Sequence, residues 1–350
     1  MIRFSYDEIT GRLRESRTLL DESTDSPDFR LVTSAGRRAG LDIICKEEGC
    51  ELMNVISTDW KDYEVLDAGS GEKLERWNKT ILRRPDPVAI WPILDEKEWK
   101  KADAVYHRSK KGGGSWEYRK PVREFWTVTY KDLKFKISPT GFKHTGLFPE
   151  QAANWDFVMK KIRQAKEQSD APVRILNLFA YTGGATMAAA KAGADEVVHL
   201  DASKGINEWA KENMELNHLE HKKIRFLVED ALKFIRREQR RGRTYQGIIM
   251  DPPSYGRGPN GEVWKLEDSI FELIDEAQKL LADDALFMVI NLYTTGFPLT
   301  SLLQTMERTI VRYHGGKAEV GETLLPLKNG EGYLPCGICG RWTSDSSEKD

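Results

Sequence analysis

The chain has 350 residues, of which 40% are hydrophobic and 31% are charged, and its formal net charge is −2. This length and composition are ordinary for a globular protein of about two domains, and the charge argues against a surface coated in positive potential. No apolar run approaches the roughly 18 residues of a membrane span, and residues 1–8 contain no apolar signal-peptide core. We therefore expect a cytoplasmic protein with no membrane partner.

The first third of the chain lacks repeated strand–helix units. Residues 1–27 form a polar N-terminal segment with a modestly helical pattern over residues 6–20. Residues 28–121 contain short apolar runs and turns, with candidate strands at residues 43–45 and 51–56. We predict that residues 28–121 form a small β-rich domain.

The rest of the chain alternates strand and helix signals. Residues 126–130 and 133–137 predict a β-hairpin, because apolar and polar residues alternate on both sides of a two-residue turn. Pro149 is suited to the first turn of a helix running to about residue 168. Further helices are predicted at about 266–281 and 299–312, and strands at 285–290 and in two runs near the end of the chain. This order predicts an α/β fold with a Rossmann-like sheet over residues 122–342 and a disordered tail over residues 343–350.

A glycine turn marks a candidate nucleotide site. Residues 177–184, Asn-Leu-Phe-Ala-Tyr-Thr-Gly-Gly, join a predicted buried strand to an alanine-rich helix. Gly183 and Gly184 permit a close approach of the backbone to a ligand, and a helix N-terminus offers free N–H groups. The next apolar run ends in Asp201, eighteen residues after Gly183. An acidic residue at about this spacing holds ribose hydroxyl groups in nucleotide-binding folds.

The motifs favour an adenosyl cofactor that has no pyrophosphate. The turn lacks the G-x-G-x-x-G pattern of dinucleotide sites, and the chain has no phosphate-cradling P-loop. Asp230, just past the third strand, is placed to accept a hydrogen bond from an adenine amino group. Asp251-Pro252-Pro253 ends the fourth strand, where the two prolines stiffen the turn. All of these segments lie at carboxyl ends of strands, where ligands bind in open α/β sheets.

These segments carry a resemblance to a known family. Residues 142–155 (Phe-Lys-His-Thr-Gly-Leu-Phe-Pro-Glu-Gln-Ala-Ala-Asn-Trp), residues 177–184 and Asp251-Pro-Pro-Ser-Tyr255 resemble those of class I S-adenosylmethionine (SAM)-dependent methyltransferases. The resemblance is to the bacterial group related to the 23S (large-subunit) ribosomal RNA methyltransferases. It covers roughly residues 60–342. It implies SAM as cofactor, a SAM-dependent methyltransferase domain over residues 122–342, RNA as partner and a substrate-holding role for residues 28–121.

The resemblance also implies a set of cofactor-binding residues. Related enzymes have an element similar to residues 145–151 beside the methyl donor, although this segment is also explained as a turn and helix start. The residues expected to bind the cofactor are Glu150, Gln151, Phe179, Ala180, Tyr181, Thr182, Gly183, Gly184, Asp201, Ala202, Ser203, Asp230, Ala231 and Asp251.

The predicted catalytic residues are Asp251, Pro252 and Tyr255. A nitrogen nucleophile needs an acceptor for its N–H group, which the Asp251 side chain and the Pro252 carbonyl can supply, and Tyr255 can stack on a base. The segment resembles the [DN]-P-P-[YF] element of base-amino methyltransferases, although Ser254 stands where the aromatic residue is usual. The alternative is a turn that only ends a strand.

The cysteine positions bear on the target atom. Methylation of cytosine carbon 5 requires a thiolate nucleophile, which some relatives carry shortly after the fifth strand. Residues 291–297 contain no cysteine. The sequence therefore favours a base nitrogen over 5-methylcytosine, with Asn291 placed to orient the base.

Two basic segments are candidates for RNA contact. Residues 100–123 contain eight Lys or Arg and two acidic residues, with Tyr106, Trp116 and Tyr118 interleaved. Cations can pair with phosphates and aromatic rings can stack on unpaired bases, but a charged loop is an equal alternative. Residues 233–243 are more typical of a solvated helix face.

The four cysteines do not form a disulfide framework in a chain of this length. Cys45, Cys50, Cys336 and Cys339 have spacings that could supply zinc ligands. Because the two pairs are far apart in sequence, we expect reduced, partly buried thiols and no metal.

Three functions remain open from the sequence. The leading hypothesis is an RNA methyltransferase that acts on ribosomal RNA. The second is a methyltransferase for a protein or small molecule, since a SAM-binding fold does not fix the acceptor. The third, a non-catalytic module that binds SAM or RNA, is disfavoured by the intact segment at residues 251–255.

Overall fold

The computed structural model describes residues 4–7, 12–15, 53–109, 113–141, 143–257, 263–328 and 332–345. Contacts divide the chain into two units, Met1–Lys46 and Glu47–Asp350. The predicted domain boundaries after residues 27 and 121 stay predictions.

The first unit contains a short antiparallel pair, β1 (Phe4–Asp7) and β2 (Arg12–Glu15). The helix predicted over residues 6–20 is wrong at these positions. Apolar and polar residues alternate along β1, which suits the two-residue period of a strand, and β2 has a single apolar residue, Leu13. The candidate strand at residues 43–45 lies outside the described residues.

In the described part of the second unit the first strand is β3 (Val55–Ile56), which falls within the predicted strand at residues 51–56. It continues into a five-stranded sheet with strands in sequential order. Neighbours in this sheet are antiparallel except for the third and fourth strands, which are parallel and joined through a short helix. The elements are β4 (Tyr63–Gly69), β5 (Glu72–Trp77), β6 (Thr80–Pro85), α1 (Glu96–Trp99), β7 (Ala104–Arg108) and β8 (Gly114–Tyr118). The predicted β-rich N-terminal region is confirmed.

A hairpin follows, and then the alternating part of the chain. A 3-10 turn at Pro149–Gln151 leads into α2, and a π-helical turn at Glu307–Val311 separates α7 from α8. The elements are β9 (Trp126–Tyr130), β10 (Leu133–Ile137), α2 (Ala152–Gln168), β11 (Arg174–Leu178), α3 (Gly184–Ala192), β12 (Glu196–Asp201), α4 (Lys204–Leu216), β13 (Ile224–Val228), α5 (Ala231–Arg240), β14 (Gly247–Met250), β15 (Tyr255–Arg257), β16 (Val263–Lys265), α6 (Leu266–Gln278), β17 (Phe287–Leu292), α7 (Leu299–Met306), α8 (Arg312–His314), β18 (Lys317–Pro326) and β19 (Tyr333–Thr343).

Eight strands form the main sheet in the order β13-β12-β11-β14-β17-β19-β18-β3. The first five in this order are parallel to one another, and β19 runs antiparallel to both of its neighbours. The chain moves outward from β11 to β13 and then returns to β14 on the other side of β11. This reversal creates a switch point between β11 and β14, where open α/β sheets bind ligands. The predicted α/β class and Rossmann-like sheet are confirmed.

The parallel strands are nearly all apolar because both faces of the sheet are covered. Alternate residues enter two different cores: Ile175 and Val197 pack into one, whereas Leu176 and Val198 pack into the other. The first core includes α2, α3 and the β9–β10 hairpin, and the second includes α5, α6 and α7. This two-sided burial explains why the apolar runs could be recognised as strands.

Two asparagines of the α4 region hold the predicted hairpin in place. The Asn213 and Asn217 side chains accept hydrogen bonds from the backbone N–H groups of Lys136 and Lys134 at 2.9 and 2.8 Å. Asn217 also donates to the Lys134 carbonyl at 2.7 Å. The β10 backbone therefore finds side-chain partners in place of a further strand, which satisfies groups that burial would leave unpaired.

The main sheet includes residues from two segments that were predicted to lie outside it. The β3 strand, from the predicted small domain, pairs in parallel with β18. Thr343, assigned to the disordered tail, is the last residue of β19 and is buried. Residues 346–350 lie outside the described residues. Within the described ranges, none of the helices combines the length and the apolar composition that crossing a bilayer requires.

A buried ion cluster stabilises the five-stranded sheet. Glu75 is fully buried and accepts hydrogen bonds from Tyr63 at 2.6 Å and from two guanidinium nitrogens of Arg84 at 2.7 and 2.9 Å. Lys73 lies 3.5 Å from the same carboxylate and 3.2 Å from Asp86. Burial by itself would raise the pKa of Glu75, but the charges of Arg84 and Lys73 outweigh it and lower the pKa to about 2.

We predict that Glu75→Gln lowers the free energy of unfolding by about 3–5 kcal/mol at neutral pH, because it leaves Arg84 buried without a counter-charge. The folded pKa lies below the ordinary value of 4.5, so the stabilisation is complete above that pH and is lost as the pH falls towards 2. Urea unfolding at several pH values should therefore show a difference between wild type and variant that shrinks in acid. Glu98→Gln, at an exposed pair with Lys101, is the control and should change stability little. A constant difference across this pH range would contradict the assignment.

Candidate active site

A cleft opens at the switch point, at the carboxyl ends of β11 and β14. Seven of the residues predicted to bind the cofactor line it: Gln151, Phe179, Ala180, Tyr181, Thr182, Gly184 and Asp251. The cleft is also lined by residues that were not in the predicted set, among them Phe148, Asn154, Trp155, Asn177 and Asn291. The structure thus brings together residues from the turn after β11, from α2 and from the ends of β14 and β17.

The turn between β11 and α3 has an unusual backbone. Phe179 and Tyr181 have φ angles of 55° and 49°, and Gly183 has 87°. Only glycine adopts this region without steric cost, and each non-glycine residue there costs of the order of 1–3 kcal/mol. The surrounding structure must therefore hold this turn in place.

Asp201 is the first brace of the turn. Its carboxylate accepts hydrogen bonds from the backbone N–H groups of Tyr181 and Ser203 at 3.0 and 2.9 Å. The backbone N–H of Ala180 also donates to the Leu200 carbonyl at 3.0 Å. Because a carboxylate has about four acceptor sites, Asp201 keeps capacity for a ligand hydroxyl. Asp201 itself does not line the cleft directly.

The second brace comes from the segment before α2. The Thr182 hydroxyl donates to the Gly146 carbonyl at 2.6 Å, and Asn213 donates to the Thr182 carbonyl at 2.9 Å. Gly146 has a φ of 99°, and a Cβ atom there would lie 2.2 Å from the Trp209 ring. The glycine is therefore required by both backbone and space.

Asp230 has a local structural role in addition to any ligand contact. It is exposed, it is the N-cap of α5, and one carboxylate oxygen accepts from the Lys233 N–H at 2.9 Å. This satisfies an otherwise unpaired helix N–H group. Neither Asp230 nor Ala231 lines the cleft. Ala202 and Ser203 are exposed, and the Ser203 hydroxyl caps α4.

Three carboxyl groups with raised pKa values lie at or near the cleft. Burial raises the pKa of Asp251 well above its usual range, and the negative charges of Glu150 and Asp201 raise it further. Burial also raises the pKa of Glu150 and of Asp201. This part of the site therefore favours a cation or a bound proton.

Of the residues predicted to be catalytic, Asp251 lines the cleft but Tyr255 does not. Pro252 is buried, and the Pro253 carbonyl accepts from the Trp264 ring N–H at 2.6 Å. Ser254 accepts a hydrogen bond from Thr294 at 2.8 Å. Tyr255 begins β15, is 51% exposed and does not line the cleft. The β15 strand pairs with β16 in a separate two-stranded sheet.

A chain of amide groups forms the floor of the cleft. Asn154 donates to Gln151 Oε1 at 2.9 Å and to Asn291 Oδ1 at 2.8 Å. Gln151 in turn donates to the Tyr293 hydroxyl at 2.6 Å. Sequence reasoning missed Asn154 and Tyr293. Asn154 had a detectable signal, because it is a polar residue one turn after Gln151 on the apolar face of α2.

A cluster of aromatic rings surrounds Phe148 at the cleft. Phe148 lies 5.2 Å from His144, 5.1 Å from Tyr181 and 5.4 Å from Tyr293, measured between ring centroids. The pKa of His144 falls to about 3 because of burial and then the positive charges of Arg84, Lys143 and Lys73. His144 is therefore a neutral ring at physiological pH.

Two aromatic side chains of the basic segment at residues 100–123 are held by contacts with residues 140 and 141. Trp116 donates to the Thr140 carbonyl at 2.8 Å, and Tyr106 is buried and donates to the Gly141 carbonyl at 3.1 Å. These two rings contact each other at 5.3 Å. The expectation that they stack on bases is therefore wrong for Tyr106 and unsupported for Trp116, whereas Tyr118 is 55% exposed.

The second basic segment matches a solvated, ion-paired helix face. Arg236 pairs with Glu272, and Arg237 with Glu229, both at 2.5 Å. Arg243 lies 2.9 Å from Glu196. These pairs neutralise much of the charge at residues 233–243.

The two described cysteines are free thiols. Cys339 is buried and donates to Asn154 at 3.4 Å, whereas Cys336 is partly buried. Burial raises the pKa of both thiols, that of Cys336 well above its usual range. In the described part of the chain, no three His, Cys, Asp or Glu side chains come together as a metal site. Cys45 and Cys50 lie outside that part.

Known proteins are similar to this chain in sequence and in fold. The family model described as S-adenosylmethionine-dependent methyltransferase matches residues 100–299. The chain belongs to this family. A SAM-dependent methyltransferase structure from Agrobacterium tumefaciens is 35% identical, with a TM-score of 0.77 over 85% of this chain and 97% of that one. SAM is accordingly the cofactor, and the enzyme is a methyltransferase.

Two relatives bear names that specify an acceptor. "Ribosomal RNA large subunit methyltransferase K" of Neisseria meningitidis is 29% identical over 257 residues, which cover 70% of each chain. "Ribosomal RNA large subunit methyltransferase K/L" of Shewanella baltica is 32% identical over 212 residues, 59% of this chain and 26% of that protein. The chain therefore spans about a quarter of the second relative.

The charge of the cleft and the close backbone approach at its glycine turn both suit SAM. SAM carries a sulfonium and an ammonium group, and the acidic residues Glu150, Asp201 and Asp251 complement these positive charges. The turn also leaves little space at Gly184, where a Cβ atom would lie 2.6 Å from the Trp155 ring. The backbone at the start of α3 can therefore approach both α2 and a ligand closely.

We predict that Gly184→Ala destabilises the fold by about 1–3 kcal/mol, the usual cost of overpacking, and weakens SAM binding. The added methyl group must push α3 away from Trp155 and so displaces the lining of the cleft. The matched control is Gly205→Ala in the first turn of α4, where a Cβ atom meets nothing within 4 Å. Calorimetric titration with SAM and thermal unfolding should separate the two. Equal SAM affinity in both variants would show that the Gly184 contact does not shape the site.

Proposed function

We propose that this methyltransferase transfers the methyl group of SAM to a base nitrogen of RNA, with ribosomal RNA as the substrate. The main support is the pair formed by Asp251 and Asn291, which both line the cleft. Met250 is paired with Ile290 in the sheet, so Asp251 and Asn291 follow paired residues on adjacent strands. The names of the two rRNA methyltransferase relatives support the choice of acceptor.

In this proposal the predicted residues hold different parts of the cofactor. The turn from Phe179 to Gly184 binds the adenosyl group, and Asp201 with Ala202 and Ser203 binds its ribose. Asp230 uses its remaining acceptor oxygen, beside Ala231, for the adenine. Glu150 and Gln151 contact the amino-acid end, where a buried carboxylate attracts the ammonium group.

The protein's part in the reaction is alignment and proton acceptance. Bound SAM supplies a sulfonium methyl group for in-line displacement. Asp251 and the Pro252 carbonyl orient the N–H of the nucleophile. Because its surroundings raise the pKa of Asp251, this carboxylate is a better proton acceptor than an ordinary one. Alignment of this kind can lower a barrier by up to roughly 7–11 kcal/mol.

Two aromatic residues are candidates to hold the base. Tyr255 is exposed beside the cleft, so it can stack on a base only at the outer rim. Phe148 lines the cleft itself and contacts Tyr181. We assign the inner face of the base to Phe148 and the outer contact to Tyr255.

A positive cluster beside the cleft supports a polyanionic substrate. Burial lowers the pKa of Lys143, and the charges of Lys73, Arg84 and Arg108 lower it further. Arg84 also donates to the Lys143 carbonyl at 2.6 Å, which fixes this segment against the five-stranded sheet. Glu75 and Asp86 balance the charges of Lys73 and Arg84, and an RNA phosphate would balance the remaining charge of Lys143 and Arg108.

Methylation at cytosine carbon 5 is the less favoured alternative. It requires a thiolate, and burial holds both described cysteines in the thiol form. Cys339 is paired with Asn291 in the sheet but hydrogen-bonds to Asn154. A protein or small-molecule acceptor would not need the positive cluster.

We predict that the wild type transfers label from methyl-labelled SAM into ribosomal RNA taken from cells that lack the enzyme. Asp251→Asn should reduce this transfer at least about 100-fold, in the range of a lost general base, and should still bind SAM. Nuclease digestion should give a methylated base nitrogen. Asp283→Asn, at an exposed carboxylate, is the control. Label found only in protein or metabolites would refute the RNA acceptor.

We predict that Lys143→Gln raises the KM for RNA and reduces the slope of log affinity against log salt by about one, as for the loss of one phosphate contact. SAM affinity should stay unchanged, because the change lies outside the cofactor contacts. Lys160→Gln, on the exposed face of α2, is the matched charge control. An equal effect of both variants would mean that RNA senses only the net charge of the protein.

A further inference from the structure

The orientation of Asn154 is fixed by an arginine. Arg341 Nε and Nη2 donate to Asn154 Oδ1 at 2.9 and 2.6 Å, and Nη2 also donates to the Ala153 carbonyl at 3.1 Å. Arginine has donors and no acceptor, so the Asn154 atom that faces it must be the oxygen. The Arg341 guanidinium is itself held against the Phe157 ring at 4.5 Å.

The orientation of Asn154 also fixes that of the Asn291 side chain. With its oxygen turned to Arg341, Asn154 presents its NH₂ group to Asn291 Oδ1 at 2.8 Å. The Asn291 oxygen is therefore engaged, and its own NH₂ group is the part left for the cleft. An amide that could flip would offer either a donor or an acceptor, but here only the donor is offered.

The geometry points to Arg341 and Asn154 as positioning residues that make Asn291 a hydrogen-bond donor, so that the enzyme selects a base edge with an acceptor atom beside the methyl-accepting N–H. This inference rests on the proposed function, because it takes the acceptor to be a base. Asp251 then faces the N–H and Asn291 faces the adjacent ring nitrogen or carbonyl oxygen. A base edge with two adjacent donors would leave one of its donors facing the Asn291 NH₂ group.

The variant Asn154→Asp tests the hydrogen bonds that run from Arg341 through Asn154 to Asn291, and it preserves the fold. Its carboxylate still accepts from Arg341, but it cannot donate to Asn291. The Asn291 amide should then rotate, donate to the new carboxylate and turn its oxygen towards the cleft. We expect kcat/KM for ribosomal RNA, measured at saturating SAM because Asn154 also donates to Gln151, to fall about tenfold or more, as for one wrongly paired buried hydrogen bond.

A double-mutant cycle separates positioning from a general structural effect. In an Asn291→Ala background, Asn154→Asp should cause no further loss of activity, because the group through which it acts is gone. Losses that multiply would overturn the inference. Activity in this cycle is measured on whichever acceptor, RNA, protein or metabolite, the wild type methylates. A non-RNA acceptor would therefore count against the proposed function, but it would not count against the positioning of Asn291 by Asn154.

A second measurement requires no substrate. The side-chain NH₂ signal of Asn291 in ¹⁵N-labelled protein can be assigned by its absence in Asn291→Asp. In the wild type Asn291 is buried at the wall of the cleft and Asn154 cannot accept from its NH₂ group, so the wild-type rate of exchange with water is the reference. In Asn154→Asp the NH₂ group should be held by the new carboxylate and exchange about tenfold or more slowly, as expected for a charged hydrogen bond. Equal exchange rates in the two proteins would overturn the inference even if neither showed activity.

Discussion

The hydrogen bond from the Tyr181 N–H to Asp201 is the constraint on which the site depends. It holds a turn in which two non-glycine residues, Phe179 and Tyr181, have left-handed backbone angles. Such strain persists only where the surroundings fix the backbone. The turn delivers its N–H groups and the first residues of α3 to the cleft. Because the brace sits at the end of β12, the register of β11 with β12 sets the shape of the cofactor pocket.

One asparagine extends this constraint to the hairpin. Asn213 accepts from Lys136 on β10 and donates to Thr182 in the turn. The hairpin, α4 and the cofactor turn are therefore connected through a single buried amide. This explains why a hairpin outside the main sheet belongs to the same structural unit as the cleft. It also explains why residue 213 is polar although it lies on the buried face of α4.

The sequence predicted the parts of the fold that depend on local pattern. The apolar runs of β11 and β14 are strands because both of their faces are covered, and the β9–β10 hairpin follows from strict alternation. The helix at residues 6–20 was wrong because short strands with polar residues on one face resemble weak helices. Tyr106 and Trp116 looked like stacking rings, but their polar atoms bond to the backbone at residues 140 and 141. No sequence window contains both partners of such a contact.

In the site, too, residues that belong to local motifs could be predicted, and residues whose role depends on distant partners could not. The glycine turn, Asp201 and Asp251-Pro-Pro could be found because each lies where a strand ends. Asn154 could not be given a role, because its orientation is set by Arg341, 187 residues away. Its chemistry also depends on direction, since an amide is a donor at one end and an acceptor at the other.

Electrostatics divide the site into two regions of opposite sign. Glu150, Asp201 and Asp251 make the cofactor side negative, which suits a cationic methyl donor and disfavours a product that has lost the sulfonium charge. On the neighbouring side Lys73 and Arg84 are balanced by Glu75 and Asp86, and Lys143 with Arg108 adds positive charge that suits phosphate. A chain with a net charge of −2 can thus bind a polyanion, because the field at the cleft depends on nearby charges and distant charges are screened within about 10 Å. The opposed fields would also orient a nucleotide, with its phosphate against the cations and its base edge towards Asp251.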